Sequence, residues 1–119
     1  MTSLVACLST GKGTWGHVSR LINDGNYEKV FLITNQFGKE NYKNEKQAEM
    51  IIIESQGQGI AEMRDQIESQ LKGKIKDTEV ALNIVSGSGK EHMAILSAVL
   101  KLGLGIRFTA LTKDGVKEV

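Results

Sequence analysis

Apolar runs alternate along this chain with segments in which apolar residues recur at helical spacing. Short continuous apolar runs indicate buried strands, and they occupy residues 4–8, 30–34, 50–53, 80–85 and 106–111. Apolar residues three or four positions apart indicate amphipathic helices, and they run from Trp15 to Ile22 and from Ile60 to Leu71. A third helix is predicted from about residue 91 to residue 102. Strands that alternate with helices predict an α/β domain with a mainly parallel sheet.

The segment between the second and third strands is the weakest part of this pattern. Residues 38–49 are almost wholly polar, so we expect a short exposed helix or a loop there. Thr14 is placed to cap the first helix, and Gly25 to end it. The whole chain, 1–119, is then predicted to form a single Rossmann-like three-layer sandwich with strand order 3-2-1-4-5. Residues 116–119 can add a short edge strand.

The helix over residues 91–102 has more apolar surface than one sheet face can bury. Only Ser97 and Lys101 interrupt its apolar interior positions. A helix that is apolar all round is covered on more than one side, and in a domain of this size the second cover is expected to be another subunit. The alternative is an ordinary amphipathic helix that is rich in Ala and Leu.

Composition and charge narrow the classes of function. A hydrophobic share of 40% with 24% charged residues is ordinary for a folded domain. Fifteen Lys and Arg against fourteen Asp and Glu leave a net charge of +1. We therefore expect no long nucleic acid as a partner, and any anion site must be local. No apolar run has the length of a signal-peptide core or of a membrane span, so we expect no membrane partner. The lone Cys7 cannot form an internal disulfide, which fits a reducing compartment. We therefore expect a cytoplasmic location.

Two glycine-rich turns follow the first and fourth predicted strands. In the doubly wound order these strands are neighbours, and their crossovers leave in opposite directions, which opens a crevice at their carboxyl ends. Glycine amides, helix N-termini and the side chains of Lys12 and Lys90 would together favour a phosphate group there. The candidate ligand-binding residues are Ser9, Thr10, Gly11, Lys12, Gly13, Thr14, Asn35, Gln36, Ser86, Gly87, Ser88, Gly89 and Lys90.

Standard nucleotide motifs match these turns poorly. Residues 11–16 have the G-x-G-x-x-G spacing, but residues 34–36 read Thr-Asn-Gln where an acidic residue would meet the ribose of a dinucleotide. Gly89-Lys90 lacks the earlier glycine of a Walker loop, since Ile84 stands there, and Glu91 follows the lysine. Neither a dinucleotide nor an NTPase site is favoured.

Metal chemistry is also disfavoured by the spacing of the candidate ligands. His17, His92 and Cys7 show no spacing typical of metal ligands. Each histidine is better explained as a polar residue in the first turns of a helix. We therefore expect neither a metal ion nor a cofactor.

Residues 83–94 read Asn-Ile-Val-Ser-Gly-Ser-Gly-Lys-Glu-His-Met-Ala, and this stretch resembles the signature after the fourth strand of the CRISPR-associated Rossmann fold (CARF) family. The usual form there is Asp or Asn, two apolar residues, Gly-Gly-Thr-Lys, and a helix of small and apolar residues. The order of elements, the hydroxyl-rich turn after strand 1 and the closing strand agree as well. This chain departs from the family in having Ser-Gly-Ser-Gly-Lys and a second crossover that is poor in apolar residues. These departures leave the alignment of the first turn open.

The resemblance implies a homodimer that binds a cyclic oligoadenylate across its two-fold axis, in antiviral signalling. Cyclic tetra-adenylate is the expected ring, because a two-fold dimer matches a four-membered ring. Some members of the family, the ring nucleases, also cleave the ligand. For such cleavage the candidate catalytic residues are Lys90, Ser9 and Thr10, acting without metal by attack of a ribose 2′-hydroxyl on the neighbouring phosphate. His92 and His17 are weaker candidates for proton transfer.

Other interpretations of the same residues stay open. The hydroxyl side chains of both turns can simply cap turns and helices, and the lysines can be solvated. The domain can be a non-catalytic sensor that docks on a partner, or the ligand-binding part of a transcription factor. It can also be a small phosphate-binding enzyme of the Rossmann class.

Overall fold

A computed structural model describes the whole chain except Met1, Thr10 and Glu45. A 3₁₀ turn at Lys12–Thr14 precedes the first helix. The elements in chain order are β1 (Leu4–Cys7), α1 (Trp15–Asp24), β2 (Val30–Thr34), α2 (Gln36–Asn41), β3 (Glu49–Ile52), α3 (Ile60–Leu71), β4 (Glu79–Asn83), α4 (Gly89–Lys101), β5 (Gly105–Thr112) and β6 (Gly115–Glu118). None of the helices in the described part of the chain is long and apolar enough to cross a bilayer.

The strands form one six-stranded sheet in the order β3-β2-β1-β4-β5-β6. The first five strands are parallel, and β6 pairs antiparallel with β5 at the edge. The predicted α/β class and mainly parallel sheet are confirmed, and the order of the first five strands agrees with the prediction. This arrangement is compatible with a Rossmann-like fold.

Helices cover both faces of the sheet, and β1 lies at its centre. Alternate side chains of a strand point to opposite faces, so Leu4 and Ala6 pack with the apolar face of α1, whereas Val5 and Cys7 pack with α3 and α4. All four residues of β1 are buried. This two-sided burial is the physical reason for its continuous apolar run.

Two boundaries near the second glycine-rich turn differ from the prediction. β4 ends at Asn83 rather than at residue 85, because the Asn83 side chain accepts a hydrogen bond from Val85 N at 3.3 Å and donates one to Thr109 O at 2.8 Å. α4 begins at Gly89, two residues earlier than predicted, because Ser88 and Glu91 form a capping box.

The first two helices begin differently from the prediction as well. Thr14 does not cap α1 through its side chain, and its hydroxyl donates instead to Gly11 O at 3.4 Å. The short helix of the second crossover starts at Gln36, before the polar stretch, because Asn35 Oδ1 accepts a hydrogen bond from Gly38 N at 2.9 Å. The expected short helix is therefore present, with a cap that fixes its start.

Two sides of α4 have different surroundings. Residues such as Ile95 and Val99 are fully buried, and α3 supplies part of their cover through Met63 and Ile67. A neighbouring helix of the same chain thus provides some of the second cover that we expected from another subunit. The opposite side of α4 leaves the side chains of Met93 and Leu100 60% and 63% exposed.

Two methionines in helices provide a matched test of this core. Met63 in α3 is fully buried, whereas Met93 in α4 is largely exposed. We expect Met63→Ala to lower the free energy of unfolding by roughly 2–5 kcal/mol, through lost burial and a residual cavity. In the monomeric domain, at protein concentrations too low for self-association, Met93→Ala should change it by less than about 0.5 kcal/mol. Urea unfolding measures both values, and equal losses in the two variants would contradict this packing.

Candidate functional site

The turns after β1 and β4 meet at the carboxyl edge of the sheet. Ser9 N donates to Ser86 Oγ at 2.8 Å, and Ser86 Oγ donates in turn to Ser9 Oγ at 3.0 Å. Ser86 is 1% exposed. The hydroxyl of Thr34, at the end of β2, donates to Leu8 O at 2.7 Å. This hydrogen bond links β2 to the residue that precedes Ser9. We call the hydrogen-bonded Ser9 and Ser86 the serine junction.

Gly87 follows the junction in a backbone conformation that requires glycine. Its φ is +110°, and a Cβ atom at this position would lie 2.6 Å from Cys7 Sγ and 3.0 Å from His92 Nε2. His92 Nε2 donates to Ser86 O at 2.8 Å, which holds the turn against the first turn of α4. The backbone at Gly87 therefore lies in close contact with the Cys7 thiol.

A cleft of about 410 Å³ opens beside the junction. It lies between the turn after β4 and the loop between β3 and α3. Its lining residues are Ser9, Asn35, Glu54, Ser55, Gln56, Gly87, Ser88 and Glu91. A slightly larger hollow, of about 470 Å³, lies away from both turns and is lined by residues 22–23, 25–31 and 46–49. The cleft is the candidate site, because ligands of open α/β sheets bind at the carboxyl ends of the strands, where the strand order reverses.

Two carboxylates belong to the walls of the cleft. Glu91 is only 7% exposed, and its Oε1 accepts a hydrogen bond from Ser88 N at 2.8 Å. Glu54 is exposed, and its Oε1 accepts from Gln36 N at 3.4 Å. Burial, and to a smaller extent the nearby charge of Glu91, raise the pKa of the Cys7 thiol far above its usual range. Cys7 is therefore a neutral buried side chain and not a nucleophile at physiological pH.

The two candidate lysines make contacts that the sequence did not predict. Lys90 Nζ donates to Ser55 O at 2.6 Å, so its charge lies against the loop between β3 and α3, at the edge of the cleft. Lys12 Nζ lies over two aromatic rings, 5.8 Å from the centroid of Trp15 and 5.5 Å from that of Phe37. Each ammonium group therefore has a contact, and each contact is weaker than an ion pair with a carboxylate.

The predicted site residues fall into two groups. The serine junction and the cleft bring together Ser9, Asn35, Ser86, Gly87 and Ser88, with Lys90 at the edge. The lining of the cleft does not include the other described candidates, which are Gly11, Lys12, Gly13, Thr14, Gln36 and Gly89. Gly11 still contacts the junction, since its N–H donates to Ser9 Oγ at 3.2 Å, whereas the Gln36 side chain donates to Glu40 at 3.3 Å. Thr10 lies outside the described residues.

The acidic part of the site was not predicted from the sequence. Ser88 and Glu91 stand three residues apart in the Ser-x-x-Glu pattern of a capping box, which would have placed a carboxylate at the start of α4. Glu54, Ser55 and Gln56 belong to a loop without a recognisable motif. Only the crossover of the chain brings that loop to the cleft, so no local pattern could have found it.

The two histidines serve as structural contacts. His17 Nε2 accepts a hydrogen bond from Leu111 N at 3.3 Å and lies 3.3 Å from Asn83 Nδ2, which links α1 to β4 and β5. His92 donates to Ser86 O, as described above. Within the described parts of the chain, no three His, Cys, Asp or Glu side chains are grouped as a metal site requires.

The fold and the cleft define an α/β domain with a polar site at the carboxyl ends of its central strands. Compared with known proteins, the chain is matched by no family model and by no curated sequence.

Two glycines beside the cleft give a matched test of its geometry. We expect Gly87→Ala to lower the free energy of unfolding by more than about 1 kcal/mol, because its positive φ and the close Cys7 thiol both exclude a Cβ atom. Gly89→Ala should leave stability unchanged or raise it by up to about 1 kcal/mol, because a Cβ atom there meets no atom within 4 Å. Denaturant unfolding measures both. Equal tolerance of the two substitutions would contradict the tight approach of the turn to Cys7.

Proposed function

We propose that this domain binds a cyclic oligoadenylate, most specifically cyclic tetra-adenylate, in the cleft beside the serine junction. The observation that carries the proposal is the direct hydrogen bonding of Ser9 to Ser86, which joins the two hydroxyl-rich turns at the reversal point of the sheet. The resemblance of residues 83–94 to the CARF signature supports the choice of ligand. It implies a role in antiviral signalling.

The start of α4 provides donors for a phosphate group. The first N–H groups of a helix have no carbonyl partner within it, and at this helix they belong to Gly89 and Lys90. The helix dipole and the Lys90 ammonium group favour an anion at the same place. Lys90 would exchange its hydrogen bond to the Ser55 carbonyl for a stronger one to a charged oxygen.

The carboxylates of Glu54 and Glu91 argue for a nucleotide over a bare phosphate. They repel a free anion, but they accept hydrogen bonds from ribose hydroxyls or from the amino group of adenine. A ligand that combines phosphates with such donors satisfies both the helix start and the acidic wall. This is the reason for preferring an oligoadenylate to the small phosphate substrate of a Rossmann-class enzyme.

A ring with two-fold symmetry requires a second copy of the site, so the proposal includes a homodimer. The outer side of α4 supports it, because Met93 and Leu100 expose apolar side chains that a partner would cover. The Val99 side chain is fully buried in the core. Any dimer contact of α4 must therefore use the Met93 and Leu100 side.

Cleavage of the ring is the catalytic extension of the proposal. The ribose 2′-oxygen would attack the adjacent phosphorus and lose its proton, while the bond from phosphorus to the 5′-oxygen breaks and that oxygen takes a proton. Linear products would end in a 2′,3′-cyclic phosphate. Lys90 would stabilise the negative charge on the non-bridging phosphate oxygens, Ser9 would orient the 2′-hydroxyl, and Glu91, which lines the cleft, would accept its proton. Thr10 remains a candidate from the sequence.

Labelled cyclic tetra-adenylate tests the binding proposal directly. We expect retention by the wild-type protein, and a loss of 1.5–3 kcal/mol, or roughly 10- to 150-fold in Kd, in Lys90→Ala, the usual range for a hydrogen bond to a charged group. Lys72→Ala, an exposed lysine at the end of α3, is the control and should bind as the wild type does.

The same incubation separates the alternatives. Linear products with cyclic phosphate ends that form in the presence of EDTA support the ring nuclease mechanism, whereas intact retained ligand supports a sensor. Wild-type affinity in Lys90→Ala contradicts the role of this lysine. Absence of retention, combined with tight binding of a mononucleotide, would favour a small phosphate-binding enzyme.

Light scattering tests the dimer. We expect a dimer at micromolar concentration that becomes a monomer in the double variant Met93→Glu with Leu100→Glu, because two carboxylates cannot be buried without partners. Ile60→Glu, at another partly exposed apolar position, is the control and should remain dimeric. A wild-type monomer would remove the basis for a shared two-fold site.

A further inference from the structure

An aromatic cluster stands beside the cleft, at the ends of β1 and β2. The Trp15 and Phe37 rings have centroids 6.1 Å apart at an interplanar angle of 49°, and Tyr42 packs edge-on to Trp15 at 5.6 Å. Trp15 Nε1 donates to Ser9 O at 2.7 Å, so the indole is fixed to the same residue that forms the serine junction. Phe37 follows Asn35, a residue of the cleft wall, by two positions.

Both rings are partly exposed to solvent. Phe37 is 40% exposed, and Trp15 is half-buried. The exposed Lys12 places its ammonium group within 6 Å of both ring centroids. A solvated cation lies over a ring only where no core side chain covers that face. The two rings therefore form a surface that a flat ligand can reach when Lys12 moves aside.

The chemistry of this surface suits an aromatic base. A cation over an exposed ring is held weakly by the ring quadrupole. A base that stacks on the ring replaces this contact and buries apolar area in addition. The displaced Lys12 keeps its charge near the ligand, where a phosphate oxygen can accept a hydrogen bond from it.

We propose that one adenine base of the ligand stacks on the Phe37 ring, that the tilted Trp15 ring borders this stacking platform, and that Lys12 covers the platform when the site is empty. This inference rests on the proposed function for the identity of the ligand. It places one base of that ligand on residues outside the cleft lining. Stacking is tolerant of base identity, so other purine nucleotides should use the same surface with the same dependence on Phe37.

Trp15 is the single tryptophan of the chain, so its fluorescence reports on the platform without any activity assay. We expect AMP and cyclic tetra-adenylate to change Trp15 emission and to protect it from quenching by acrylamide. Ribose 5-phosphate, which lacks the base, should do neither. An equal response to ribose 5-phosphate and AMP would overturn stacking.

Variants at position 37 separate stacking from apolar packing. Phe37→Leu should weaken AMP binding by roughly 5- to 150-fold, the usual effect of losing one base stack, whereas Phe37→Tyr should bind nearly as the wild type does. Phe108→Leu is the matched control, because Phe108 is 41% exposed on β5 and should leave AMP binding unchanged. If Phe37→Leu fails to fold, the emission and acrylamide measurements on the wild-type protein still decide the question.

The outcomes distinguish this inference from the proposed function. Retention of cyclic tetra-adenylate without any change in Trp15 emission, and with Phe37→Leu binding as the wild type does, would overturn the platform and leave the proposed function standing. An AMP response that depends on Phe37, without retention of the cyclic ligand, would support the platform and overturn the proposed ligand.

Discussion

The parallel pairing of β1 with β4 is the constraint on which the site depends. Leu4 aligns with Ala81 and Ala6 with Asn83, so the two strands end side by side and their turns begin at the same level. The hydrogen bonds between Ser9 and Ser86 follow from this register. Because β1 is buried on both faces, the register is held by apolar packing on each side of the sheet and not by the polar contacts alone.

Asn83 and His17 connect the paired strands β1 and β4 to α1 and β5 through hydrogen bonds. The Asn83 amide ends β4, donates to the Thr109 carbonyl and lies beside the His17 ring, which itself accepts from the Leu111 amide. Asn83 is 2% exposed, so these polar groups are satisfied in a buried place, where each lost hydrogen bond costs more than at the surface. The second glycine-rich turn therefore starts from a rigid base.

The start of α4 has two roles that oppose each other. The capping box needs the Glu91 carboxylate at the third position of the helix. A phosphate group bound at the same helix start would be repelled by that carboxylate. Here the carboxylate is present and also belongs to the cleft wall. Under the proposed function, the ligand would bring hydrogen-bond donors for the carboxylates as well as negative charge for the helix start, and its base would stack on the aromatic rings beside the cleft.

The sequence by itself determined most of the elements and their order, because these depend on local periodicity. The apolar run before Ser9 and the helical spacing from Ile60 to Leu71 need no partner to be recognised. The meeting of the two glycine-rich turns also followed from strand order alone. Tertiary structure decided where the side chains point. The Lys90 amine lies on the Ser55 carbonyl, Lys12 lies over Phe37, and Glu54 joins the cleft from another crossover. Each of these contacts joins residues far apart in the chain, so only packing in three dimensions could bring them together.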